Sequence, residues 1–353
     1  MEIIDRVRGC LLGGAIGDAL GWPIEFENLG AIRHRHGPDG VTGFLSGYGP
    51  PQQITDDTQM TLFTAEGLLR GAPGADLGPV LREAYLRWLR TQDAPGPEVR
   101  PDGWLLSHRF LYAMRAPGQA CMSGLREQRR DYRAPRPIGL AGHVNPHSKG
   151  CGTVMRSAPF GLARLGPDHA FLEAVRGAQL THGHPTGYLA AGAFAALTDR
   201  ILDGLDLRTA LRATIAQVRA MPAGTETADA LEHALALADS HPPTSETVEL
   251  VGAGWVAEEC LAIAVHCALR AESGDLRGAL LLSVNHSGDS DSTGAVAGNL
   301  LGALHGVAAL PAEWASAVEG REVLLRVADD LVAAFVDGDH ERVAERYSRT
   351  PAS

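Results

Sequence analysis

NHSGDSDSTGAVAGNLLGALHG, residues 285–306, sets Asp289 and Asp291 among several hydroxyls, directly ahead of an apolar run that reads as a helix over Ser292 to Leu310. ITDDTQMTLFTAEGLL, residues 54–69, repeats the arrangement with Thr55, Asp56, Asp57 and Thr58. Carboxylates and hydroxyls side by side are hard oxygen ligands, suited to Mg²⁺, Mn²⁺ or Ca²⁺ and poorly suited to zinc. Brought together by the fold, the two clusters would put four carboxylates on one pocket, the chemistry of a two-metal site. The same residues also read as ordinary helix caps. A cap needs one side-chain oxygen, though, and crowded carboxylates repel unless a cation relieves them. An EF-hand reading of Asp289, Asp291, Thr293 and Gly294 fails at its twelfth position, where Leu300 stands in place of a bidentate Glu.

The rest of the 353-residue chain reads as helical. Helices are predicted over Ile3 to Leu20, Asp57 to Leu69, Leu77 to Thr91, Asp168 to Leu180, Gly187 to Leu205 and Leu207 to Arg219. Others are predicted over Thr225 to Ala238, Val256 to Ala271 and Arg321 to Val336. Strand-like alternation is scarce. Pro/Gly-rich loops fall near 37–53, 93–103, 134–152 and 220–224, with a further break at 240–243. None marks a domain boundary, and no repeat is visible, so the expectation is one all-α domain over 1–353. The first helix carries Gly9, Gly13, Gly14 and Gly17, each costing roughly 1 kcal/mol against alanine. Such a helix is tolerable only where backbones pack closely. Gly21 and Pro23 then stop it and deliver Glu25 on a turn.

A composition of 45% hydrophobic and 21% charged residues suits a globular protein, and the net charge of −11 argues against general nucleic-acid or membrane binding. No apolar stretch reaches the roughly 18 residues of a membrane span. Five scattered cysteines without a CxxC resemble neither a disulfide framework nor a zinc site, so a reduced, cytoplasmic protein is expected. Between Glu98 and Arg136 lie eight arginines, read either as a solvated surface or as a basic rim for a phosphate-bearing substrate. Lys149 is the single lysine.

These pieces together resemble the ADP-ribosylglycohydrolase family. The likeness runs through RGCLLGGAIGDALGWPIEFE (8–27), ITDDTQMTLFTAEGLL, GCGTVMRSAPFGL (150–162), LTHGHPTGYLAAGAFAAL (180–197), GWVAEECLAIAVHCAL (254–269) and the 285–306 stretch. It implies an all-α fold with a central cleft holding two Mg²⁺ or Mn²⁺ ions. Thr55, Asp56 and Asp57 would bind metal from one side and Asp289, Asp291 and Ser292 from the other, with the adjacent Thr293 competing with Ser292. Glu25 would act as base or water-orienting group; with Asp289 it makes the expected catalytic pair. Asp18 is expected to be structural. Gly150, Cys151 and Gly152 would let backbone N–H groups approach the pyrophosphate, and His182 would lie near the ADP-ribose, although a loop or capping role competes for His182 and His184.

The implied activity is release of ADP-ribose from an acceptor: a protein side chain, a nucleobase or a small molecule. The rivals are a Mg²⁺-dependent nucleotide phosphohydrolase and a non-catalytic ADP-ribose binder.

Overall fold

Gly9, Gly13, Gly17 and Gly21 recur every fourth residue along the first helix, Ile3–Gly21, and so share one face. In the computed structural model, which describes residues 1–47, 52–71, 75–271 and 274–347, that face meets a second glycine stripe. Gly294, Gly298 and Gly302 line the helix Ser290–His305, which runs antiparallel to the first. A methyl added at Gly17 would land on the Gly294 carbonyl, one at Gly13 on the Gly298 carbonyl, and one at Gly9 on the Gly302 carbonyl. Reciprocally, a Cβ at Gly294 would stand 2.5 Å from the Gly17 oxygen. The two backbones are therefore in direct contact, and the close approach offsets the poor helix propensity of glycine. Asn299 secures the pair by donating to the Cys10 carbonyl at 2.7 Å.

The seam has a consequence at its far end. Gly21 packs on the backbone of Ser290, so the end of the first helix is held against the start of the second acidic cluster. A 3-10 turn, Trp22–Ile24 with Pro23 near its start, then turns the chain and places Glu25 there.

The first acidic helix, Asp56–Arg70, is buried over all fifteen residues. Its polar side chains find partners inside the protein: Gln59 accepts from Trp88 and Gln92, both at 3.0 Å, and Glu66 pairs with Arg70 at 3.0 Å. Asp18 fastens this helix to the glycine helix. Its carboxylate accepts from the Thr55 N–H at 3.0 Å, the Thr58 N–H at 3.2 Å and the Thr58 hydroxyl at 2.6 Å. One residue of the glycine helix thus sets the position of the first acidic cluster, while the seam sets the second. Helices Pro185–Leu202 and Ala257–Arg270 carry the short turn Cys151–Thr153 against the same place.

The described residues form seventeen α-helices and no strand, only isolated bridges Gln52–Val318 and Gly150–Val256. No helix among them is long and apolar enough to cross a membrane. The expected helices are present, with shifted ends. The second acidic helix begins at Ser290 and stops at His305, where Gly306 takes φ 78°, and the helix expected from Gly187 begins at Pro185. Seven helices were not expected: Leu29–His36, Gln119–Arg130, Ala158–Leu162, Ser245–Val251, Leu276–Val284, Ala312–Ala317 and His340–Ala344. Of the loop expected over 37–53, residues 48–51 lie outside the described residues.

Candidate active site

The acidic clusters meet in one cleft of about 490 Å³. Asp56 and Asp57 form part of its wall, with Asp289, Asp291 and Ser292 also lining it. Glu25, Gly150, Cys151, Gly152 and His182 line it too. Thr55 lies beneath, fully buried, and its hydroxyl caps the first acidic helix by accepting from the Asp57 N–H at 3.3 Å.

Capping accounts for Thr55 but not for the acids. Asp289 stands at the N-cap position of its helix and makes no side-chain cap bond there. Its Oδ2 instead accepts from the Cys151 thiol at 2.6 Å. Asp56 accepts the Gly118 N–H at 3.1 Å, and Asp291 accepts the Ser292 N–H at 2.8 Å. Ser292 and Thr293 part company: the Ser292 hydroxyl lies 3.6 Å from Cys151 Sγ, whereas Thr293 turns inward to the Ser283 and Asp289 carbonyls, both at 2.7 Å.

Glu25 is buried, 6% exposed, on the turn where it was expected. Its Oε2 and the Oδ1 of Asp57 are buried without a hydrogen-bond partner. Burial, reinforced by Asp289, Asp56 and Asp18, pushes Glu25 up to about 9. Burial lifts Asp56 to about 8 despite the Gly118 N–H. Asp57 and Asp291 are driven well above the carboxylate range by burial and by neighbouring acids. Asp18 is raised less, to about 6, because the Thr58 and Thr55 bonds oppose its burial.

One oxygen each from Glu25, Asp289 and Asp291 lies within 4.8 Å of the others. All-oxygen donors, repelling one another and in part unpartnered, fit a hard divalent cation.

Glycine is required in the adjoining loop. A Cβ at Gly152 would stand 2.8 Å from Cys121 Sγ and 3.1 Å from His182 Cε1. Burial, with the Arg156 charge beside it, pushes His182 down to about 3, so its ring is neutral. His184 takes the capping role, accepting the Thr186 N–H at 3.2 Å. Lys149 is bound by Glu226 at 2.7 Å and by Glu258.

The arginines of residues 98–136 stand outside the cleft lining. The segment supplies Ala116 to Ala120 to the cleft wall, but none of its arginines. Arg126 and Arg129 reach Asp93, Arg133 reaches Glu127 and Asp131, and Arg115 binds Glu319 and the Ile54 carbonyl. Sequence reasoning also missed the stacked pair Phe26 and Trp255 on the cleft wall, with centroids 5.7 Å apart. Their exposure, 76% and 42%, was not visible in two short motifs that are otherwise largely buried.

Comparison with known proteins bears on the family and the fold. A family profile described as ADP-ribosylglycohydrolase matches residues 1–340. The chain is 28% identical to the ADP-ribosyl-dinitrogen reductase glycohydrolase of Rhodospirillum rubrum, over 95% of this chain and 99% of that protein. It is 27% identical to an ADP-ribosylarginine hydrolase of Pseudomonas putida, over 94% of this chain and 78% of the other. A solved structure titled ADP-ribosylglycohydrolase-related protein complex superposes with a TM-score of 0.63 at 28% identity, covering 94% of this chain and 98% of that one.

Proposed function

Because the chain belongs to the ADP-ribosylglycohydrolase family, an enzyme family of glycosidic-bond hydrolases, we propose that it is a divalent-metal-dependent hydrolase that frees ADP-ribose from an acceptor. The observation that carries this reading is the convergence of Glu25, Asp289 and Asp291 in a cleft shared with the Gly150–Gly152 loop and His182.

Asp56, Asp57, Asp289, Asp291 and Ser292 would hold two Mg²⁺ or Mn²⁺ ions, with Thr55 set behind them. When bound, the ions keep the carboxylates ionised, orient the ribose hydroxyls and acidify water in the cleft. Breaking the glycosidic bond develops positive charge at the anomeric carbon and ring oxygen, which the surrounding carboxylates favour. Glu25, ionised, accepts through its unpartnered Oε2 a proton from the water that bonds to the anomeric carbon. The acceptor departs with the electron pair of the broken glycosidic bond and takes up a proton in turn. The small-residue loop leaves backbone room for the pyrophosphate, so binding energy remote from the reacting bond serves to orient it.

The test is chromatographic. Arginine-, serine- and nucleobase-linked ADP-ribose are incubated with the protein and Mg²⁺ or Mn²⁺, or with excess EDTA. Intact ADP-ribose released only with metal is the expected result, and the responsive substrate identifies the acceptor. Inorganic phosphate or AMP as product would replace this reading with a phosphohydrolase. Binding of ADP-ribose without turnover of any substrate would favour a binder.

A further inference from the structure

Arg156 is a guanidinium buried to 1% exposure, and the partners it has among the described residues are uncharged. Its charge sits over the Tyr85 ring at 4.7 Å, with Nη1 facing Cys121 Sγ at 3.3 Å. Nη2 donates to the Gly177 carbonyl at 3.3 Å and to the Thr181 hydroxyl at 2.7 Å.

That last bond has a directional effect. Arginine only donates, so the Thr181 oxygen accepts from it and keeps one proton to give. Two acceptors are in reach: the Ala178 carbonyl at 3.4 Å and His182 Nδ1 at 2.8 Å. The Ala178 oxygen already accepts the N–H groups of Thr181 at 3.1 Å and His182 at 3.0 Å, which occupies both of its lone pairs. The hydroxyl proton therefore goes to Nδ1. A neutral imidazole that accepts at Nδ1 carries its own hydrogen on Nε2. Nε2 faces the loop that lines the cleft, 3.4 Å from where a Cβ would stand at Gly150 or Gly152.

We infer that Arg156, acting through Thr181, fixes the tautomer of His182 so that an Nε2–H donor points into the cleft toward an oxygen of ADP-ribose. Arg156 and Thr181 are positioning residues, and the ligand in this statement rests on the glycohydrolase reading. The neutrality of the buried ring agrees with it, since an imidazolium would need no relay to present a donor. The absence of side chains at Gly150 and Gly152 leaves the donor uncovered.

Long-range proton–nitrogen NMR on the whole protein, with the His182 signals assigned by their loss in His182→Gln, reads the relay directly. The wild type should show Nδ1 unprotonated and Nε2 protonated. Thr181→Val should populate the other tautomer and weaken ADP-ribose binding about fivefold, the worth of one neutral hydrogen bond, while Thr181→Ser restores both. His182→Gln, whose amide reaches the Nε2 position, should keep most of the affinity. His182→Asn, whose amide reaches only the Nδ1 position, should lose it, which keeps the idea testable if Thr181→Val fails to fold.

A wild-type ring protonated on Nδ1 would overturn the relay. So would a folded Thr181→Val protein with unchanged tautomer and affinity. A wild type that binds no ADP-ribose strikes the glycohydrolase reading, and with it the ligand assigned to His182, whereas the nitrogen spectrum alone judges the relay.

Discussion

The glycine helix and the second acidic helix meet along a seam and again at a cleft, and the two regions have opposite tolerances. Along the seam no atom can be added: a methyl at Gly9, Gly13 or Gly17 meets a carbonyl of the partner. At the cleft end, 21 residues into the chain, carboxylates crowd together and two of their oxygens lack partners. The seam is where the protein gains stability. The cleft is where it holds charge that folding alone leaves uncompensated. The rigidity of the first maintains the crowding of the second.

The difference can be attacked from either side. Gly17→Ala, whose methyl would overlap the Gly294 carbonyl, should destabilise the protein by about 3 kcal/mol, the upper range for forced overpacking, measured by urea unfolding. Unchanged stability would mean that the backbones are not in contact. Asp289→Ala should do the reverse, lowering turnover at least about a hundredfold with weakened Mn²⁺ binding, while metal-free stability holds or rises. Full activity would remove the two-metal assignment.

Proton linkage separates the regions next. Without a cation, Glu25 at about 9 and Asp56 at about 8 hold protons in the folded state that the unfolded chain releases near pH 4. The folded protein then binds the more protons between those limits, so the contribution of this cluster is full below about pH 4 and is lost as pH rises toward 9. In EDTA, Tm should fall between pH 5 and pH 8; Asp56→Asn should flatten the decline and Mn²⁺ should oppose it. A decline equally steep in Asp56→Asn would place its origin elsewhere. The smallest effect is expected at the loop, where Gly152→Ala presses on Cys121 and His182. It should cost about 1 kcal/mol and raise KM more than it lowers kcat, as steady-state kinetics would show.

Most side chains of the cleft were legible in the sequence, whereas the seam was legible only as one half. The glycines of the first helix implied a backbone partner, and Gly294, Gly298 and Gly302 stand at the same four-residue spacing. Pairing them is a tertiary matter, since periodicity names a face without naming what covers it. The all-α class and the acidic clusters were legible because carboxylates beside hydroxyls are rare at that density. Helix Gln119–Arg130 was hidden by its arginines, which read as a charge run although Cys121, Met122 and Leu125 turn inward. His182 and His184 could not be told apart from THGHP, because a one-residue step decides which ring caps a helix and which faces the cleft.

The antiparallel seam also dictates an order of events during synthesis. Asn299 and Cys10, which bond across it, are 289 positions apart. The glycine helix leaves the ribosome well before its partner, and it is rich in glycine and poor at standing alone. At ordinary rates its partner follows only after roughly 15–60 s of further translation. Until then neither seam nor cleft exists, so a nascent chain halted anywhere before the 285–306 stretch would carry Glu25 and the first acidic cluster with nothing to complete them.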